Sequence, residues 1–284
     1  MLKTAFAGLG DQGGPMAERI AAAGLPLAVW ARRSDAAKPF GALGAEIAES
    51  PRALAETADL LCLCVTGGAD VAELLFDRGM MAGLRPGSIL AIHSTIAPDG
   101  FRRIEAAAAE RGVAVLDAPV SGSGRRARDG TLLLMAGGEA SVLERARPVF
   151  RAHSGTILHL GAVGAAMRAK LVNNLMALSH IGLAIRALEM GAAAGIDPWA
   201  LRDTVLAGTG ASFGMDVVRR LHEPQRARHI LSILEKDAAL ALDCLHEPHI
   251  AEWRALAAGG LERIAALAHA ATALQPPPEE FPHE

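Results

Sequence analysis

The chain has 284 residues, of which 51% are hydrophobic and 21% charged. That composition excludes an intrinsically disordered protein and allows a sizeable core in one large or two medium domains. A net charge of −3 gives no reason to expect nucleic acid or an anionic membrane as partner, and three cysteines, Cys62, Cys64 and Cys244, have neither the count nor the spacing of a disulfide framework or a metal site.

Residues 3–7 are strand-like and lead through glycines into a helical pattern over 15–23. Residues 25–31 form the next strand, and a helix follows from about Ser34. Residues 60–65, 88–93 and 113–117 are further apolar strands, separated by Ala-rich helical segments such as 101–111. This alternation predicts a parallel sheet with helices on both faces. Cys62 and Cys64 fall inside one strand and are expected to pack as small apolar side chains.

The pattern changes after about residue 160. Residues 161–194 contain no proline, are rich in Ala, Leu and Met, and predict one long helix that stops at Gly195. Asp197 as N-cap and Pro198 at the first helical position then restart a helix. Helical pattern continues to about residue 271, and a tail with Pro276, Pro277 and Pro278 follows. The expected organisation is an α/β domain over 1–161, an all-α substrate and dimerisation domain over 162–274 built around the long interdomain helix, and a disordered tail over 275–284. With no signal segment at residues 1–10 and no uncharged apolar run of membrane-span length, a cytoplasmic location without a membrane partner is expected.

Gly8, Leu9, Gly10, Asp11, Gln12 and Gly13 form a G-x-G-x-x-G loop between the first strand and the first helix. The first glycine permits the tight turn, the second lets backbone approach a pyrophosphate, and the third lets helix and strand pack closely. The helix start adds free N–H groups and a positive dipole end. The α/β domain is therefore expected to be of Rossmann type and to bind a dinucleotide. NAD sites usually carry an acid at the tip of the second strand; here Ala31, Arg32, Arg33 and Ser34 stand there instead. Arginine's fork suits a 2′-phosphate, which favours NADP while leaving NAD possible.

Three further segments carry chemistry. Residues 117–124 (Asp-Ala-Pro-Val-Ser-Gly-Ser-Gly) end a strand in a small-residue loop whose backbone N–H groups can hold a carboxylate. Gly161 and Gly164 precede Lys170, Asn173 and Asn174, and Lys170 and Asn174 share a helix face. Lys236 and Asp237 lie in the C-terminal helical part.

With these four motifs in this order, over roughly residues 3 to 245, the chain resembles the β-hydroxyacid dehydrogenases, the group of 3-hydroxyisobutyrate dehydrogenase, tartronate semialdehyde reductase and glyoxylate/succinic semialdehyde reductase. The resemblance implies that Lys170 is the catalytic lysine and that Asn174 orients substrate. It implies that Ser121, Gly122 and Ser123 bind the substrate carboxylate, that Thr95 stands beside the nicotinamide, that Val65 and Thr66 line the cofactor, and that Lys236 lies near both. It also implies a homodimer or homotetramer. The expected reaction interconverts a small 3-hydroxy acid and its semialdehyde or keto acid. Lysine ordinarily titrates near 10.4, so as a base it needs burial or a neighbouring cation such as Lys236. The pocket wall is expected near residues 212–215 and Leu234.

The chain departs from the family at Gln12, where Met is frequent, at Ile92, where Asp is frequent, and at Ser123, where Gly is usual. His93 is expected to be structural. Arg125, Arg126 and Arg128 follow the substrate loop and either bias the pocket toward an acidic substrate or face solvent. Two other readings remain open: an imine reductase on the same fold, which Lys170 argues against, and a non-catalytic dinucleotide-binding module, which cofactor binding without turnover would support.

Overall fold

The computed structural model describes residues 1–244 and 250–269. It forms two compact units, Met1–Lys170 and Leu171–Glu284. The division falls within the long helix, whereas the composition changes at the glycines before it. The expected tail over 275–284 lies outside the described residues, as do residues 270–274.

In the first unit β1 (Thr4–Ala7), α1 (Gly13–Ala22), β2 (Leu27–Trp30), α2 (Ser34–Ala42), β3 (Glu46–Ile47), α3 (Pro51–Glu56) and β4 (Leu60–Leu63) follow in turn. Then come α4 (Gly68–Ala72), a π-helical turn (Glu73–Asp77), α5 (Met80–Gly83), β5 (Ile89–Ile92), α6 (Pro98–Ala109) and β6 (Ala114–Asp117). The six strands form one sheet in the order β3-β2-β1-β4-β5-β6, and every pair is parallel.

Strand periodicity sorts the side chains onto two faces. Phe6, Val29, Cys62, Ile89, Ala91 and Leu116 pack with Met16 and Ile20 of α1. Ala5, Ala7, Ala28, Leu61, Leu63, Leu90 and Ile92 pack with Leu54 of α3 and with Phe101 and Ile104 of α6. Burial on both faces is why these strands read as largely apolar runs. The strand order reverses at β1, which has β2 on one side and β4 on the other. Connections leaving β1 and β4 therefore diverge and open a crevice at the C-terminal ends of these strands.

A second sheet of β7 (Val120–Ser121), β8 (Leu132–Ala136) and β9 (Ser154–His159) follows, with α7 (Ser123–Arg128) and α8 (Ala140–Phe150) between its strands. These strands and β3 were absent from the sequence expectation. β3 and β7 span two residues each, and β9 buries only Ser154 fully, so they carry little periodic signal. The two sheets are joined by backbone hydrogen bonds in both directions between Asp117 and Gly137, at 3.1 and 2.8 Å.

α9 (Ala165–Ala193) runs from the first unit into the second. It starts after Gly161 and Gly164, whose φ values of +117° and +87° exclude them from a right-handed helix. Leu171, Leu175, Leu178, Ile181, Ile185 and Leu188 recur at helical spacing along α9 and form the core of the second unit. They pack with residues of α11 (Phe213–Val217), α12 (Pro224–Cys244) and α13 (Ile250–His269). α10 (Pro198–Ala207) begins as its sequence predicts, with Asp197 accepting from the N–H groups of Trp199 and Ala200.

Candidate active site

The loop between β1 and α1 is shaped by its glycines. Gly8 has φ +100°, and a Cβ there would lie 2.1 Å from the carbonyl oxygen of Cys64. A Cβ at Gly13 would lie 1.9 Å from the carbonyl oxygen of Gly8. Gly10 differs: a Cβ there would meet nothing within 4 Å, so its backbone faces an open cradle. α1 starts with no side-chain cap from Gln12 and no acid in its first turn, which leaves its positive end open to an anion. This cradle fits a dinucleotide pyrophosphate.

The neighbouring strand ends complete the crevice. The N–H of Val65 donates to Ser94 Oγ at 2.8 Å, which ties the end of β4 to that of β5. Sequence reasoning gave Ser94 no role. Thr95 is half-buried beside it, and Thr66 is exposed. At the end of β2 the two arginines behave differently. Arg32 Nη2 donates to Asp70 Oδ1 at 2.9 Å and to Glu73 Oε2 at 3.0 Å. Arg33 and Ser34 are exposed, and Ala31 is half-buried.

His93 is structural. It is buried, its Nδ1 lies 2.7 Å from the carbonyl oxygen of Ala118, and its ring packs against Phe6, Phe150 and His153. Burial pushes its pKa down to about 4, and His153 is lowered in the same direction by its own burial. Burial also pushes the Cys64 thiol up to about 12, an inert state for a cysteine.

The expected carboxylate loop has an unusual backbone. Gly122 has φ +135° and Ser123 φ +63°, the latter the single positive value at a non-glycine among the described residues. Strain of this kind is concentrated at ligand-binding turns. A Cβ on Gly124 would lie 2.3 Å from the carbonyl oxygen of Asp11, so the carboxylate loop packs directly on the glycine loop. Arg125, Arg126 and Arg128 are all exposed. Of the three, Arg126 lies over Gly122, with its Cδ 2.6 Å from where a Cβ would stand.

Asp117, which opens the same motif, has a role the sequence did not disclose. It is fully buried, and its Oδ2 accepts the N–H of Met167 at 2.7 Å. Burial raises its carboxyl pKa, opposed by hydrogen bonds from the backbone N–H groups of Met167, Gly164 and Ala166. Asp117 therefore caps the start of α9 from the end of β6. Lys170 lies one helical turn beyond Met167 and is half-buried. The first unit thus holds the glycine loop, residues 31–34, Val65, Thr66, Thr95, Ser121–Ser123 and Lys170.

Asn174 and Lys236 belong to the second unit. Asn174 Nδ2 donates to Asp237 Oδ2 at 2.5 Å, and Asn174 Oδ1 accepts from Asn173 at 3.1 Å. Asp237 is buried, and its Oδ1 lies 3.4 Å from Lys236 Nζ, close enough for charge attraction but without a formed hydrogen bond. Asp237 is thus the anchor of Asn174, another role invisible in the sequence. The residues of the expected pocket wall are placed in the second unit. Met215 and Leu234 belong to the helical core, Ser212 caps α11 through the N–H of Met215, and the exposed large side chain of this stretch is Phe213.

Comparison with known proteins finds relatives over most of the chain. Residues 3–164 match the profile of the NAD-binding domain of 6-phosphogluconate dehydrogenase. Residues 164–273 match that of NAD-binding in NADP-dependent 3-hydroxyisobutyrate dehydrogenase. The chain is 40% identical to an NAD-dependent L-serine dehydrogenase of Pseudomonas aeruginosa, over 76% of this chain and 73% of that protein. It is 35% identical to a 3-hydroxyisobutyrate dehydrogenase of the same organism, over 76% and 73%. Among solved structures, a Mycobacterium tuberculosis 3-hydroxyisobutyrate dehydrogenase with L-serine superposes with a TM-score of 0.79 at 28% identity, covering 94% of each chain.

Proposed function

Because the chain belongs to the β-hydroxyacid dehydrogenase family, we propose that it interconverts a small 3-hydroxy acid and the matching semialdehyde or keto acid, with Lys170 as general acid/base. The observation that carries this reading is Asp117. One residue ends the carboxylate loop's strand and caps the helix that bears Lys170, so substrate loop and acid/base are set by a single buried group.

The glycine loop, the α1 start and the strand ends at Val65 and Thr95 would hold the cofactor. When bound, the nicotinamide supplies or accepts the hydride. The protein's own part is proton transfer and positioning. In oxidation, neutral Lys170 Nζ takes the hydroxyl proton as the C–H hydride leaves; in reduction the ammonium returns that proton to the developing alkoxide. Backbone N–H groups of the Ser121–Ser123 turn would fix the carboxylate. Asn174, held by Asp237, would fix the reacting hydroxyl without adding charge. NADP is favoured over NAD because Arg33 and Ser34 stand exposed at the β2 tip, where Ala31 and not an acid ends the strand's run.

The same reading extends to a homo-oligomer through the helical unit. Val172, Met176, Leu183 and Met190 are exposed on α9 and fall within about 40° of one another around its axis. A second copy would cover this stripe, and sedimentation of a monomer at working concentration would contradict it. The reaction is tested by a turnover screen of semialdehydes, 3-hydroxy acids and cyclic imines with NADPH and NADH. Turnover of a 3-hydroxy acid or its semialdehyde is expected. Turnover of imines alone, or cofactor binding with no turnover, would overturn the reading.

A further inference from the structure

One ion-pair cluster at the cofactor end of the sheet has no part in the reaction above. Arg32 follows the end of β2 by two residues, and its Nη2 is shared by Asp70 Oδ1 and Glu73 Oε2. Asp70 stands in α4 and Glu73 opens the π-helical turn that continues it. Three apart on one helical side, both acids reach Arg32 across the connection that leaves β4. A π turn inside a helix re-aims side chains and recurs at functional sites.

The charges decide what this corner accepts. Arg32 with two carboxylates sums to −1, and Arg33 brings the local balance to zero. In a Rossmann-type site the adenosine ribose lies at the β2 tip. A ribose 2′-hydroxyl is neutral and meets no penalty from the acids. A 2′-phosphate, at about −1.5 to −2 near neutral pH, needs the guanidinium fork that Asp70 and Glu73 already occupy, and it approaches two like charges to reach it.

We propose that Asp70 and Glu73 are specificity-determining residues that restrain Arg32 from a 2′-phosphate, so that the chain accepts both NADP and NAD instead of NADP alone. This rests on the dinucleotide reading of the glycine loop. Arg33 then carries the remaining preference for the phosphate.

The test measures NADPH and NADH dissociation constants by nucleotide fluorescence on the full chain, for the parent, Asp70→Asn, Glu73→Gln, the double variant and Arg33→Ala. The double variant is expected to bind NADPH about tenfold tighter, the value of roughly one recovered charge-assisted contact, with NADH within about twofold of the parent. Each single variant moves the ratio the same way by less, which keeps the test open should the double variant not fold. The gain shrinks at high salt, because Arg32 is exposed and the two acids are only half-buried. Arg33→Ala weakens NADPH alone. An unchanged or falling preference for NADPH in the Asp70 and Glu73 variants overturns the inference. Failure of the parent to bind either nucleotide would instead sink the dinucleotide reading.

Discussion

Asp117→Ala removes the carboxylate that caps α9. The group is fully buried and accepts the N–H of Met167 at 2.7 Å. Loss of a capping side chain costs about 0.5–2 kcal/mol, and a buried donor left without an acceptor about 1–3 kcal/mol. These ranges describe overlapping interactions, so the expected loss is about 2–3 kcal/mol and not their sum. Asp117→Asn keeps an acceptor for Met167 and discards a charge that burial disfavours, so its cost is about 1 kcal/mol or less. The pH dependence has a definite sign. With the folded carboxyl pKa raised, the unfolded chain ionises first, so this group's contribution falls as pH rises from the ordinary carboxylate range to the folded value. The Asn variant lacks that dependence. Equilibrium urea unfolding at several pH values measures all three quantities. An Ala variant within about 0.5 kcal/mol of the parent, a surface-like effect, would refute the capping account, as would an Asn variant equally damaging.

His93 titrates near pH 4 when folded and near 6.5 when unfolded. A lowered value means that stability is full above the unfolded pKa and is lost as pH falls below it; at pH 5 the loss from this ring is about 2 kcal/mol. His93→Gln or His93→Phe should flatten the decline between pH 6.5 and 4, and an unaltered pH profile would contradict the buried neutral ring. Asp237→Ala frees the Asn174 amide and is expected to lower kcat/KM by about 10- to 100-fold with NADPH affinity unchanged; a lost cofactor affinity would reassign Asp237 to general stability. Arg126→Ala should raise KM for a dicarboxylic semialdehyde, whereas Arg125→Ala should not, and equal KM values across the parent and both variants would leave this arginine run as solvated surface.

Sequence signals carried the first unit's sheet because its strands are buried on both faces. Five of its six strands are largely apolar, broken only by Thr4 and Asp117, and the glycine loop sits between β1 and α1 as its spacing requires. The second sheet was illegible for local reasons. β7 is two residues long and β9 faces largely outward; β8, five consecutive apolar residues over Leu132–Ala136, carried a signal that a stricter search for strands would have found. The partners that the sequence hid are non-local. Asp117 meets a helix N–H 50 residues away, Asp237 meets Asn174 across 63, and Arg32 meets its acids across 38 and 41. Each looks like an ordinary polar residue until the fold supplies its partner. Arg32 is the instructive case, since its sequence neighbours propose a phosphate while its spatial neighbours already supply two carboxylates.

The central claim is the role of Lys170, and single-turnover kinetics of Lys170→Ala tests it most directly. With the NADPH dissociation constant unchanged, the rate of the chemical step is predicted to fall by about 10²–10⁴-fold, the usual contribution of a positioned acid/base. A variant that binds NADPH normally and turns over within about tenfold of the parent would contradict the account.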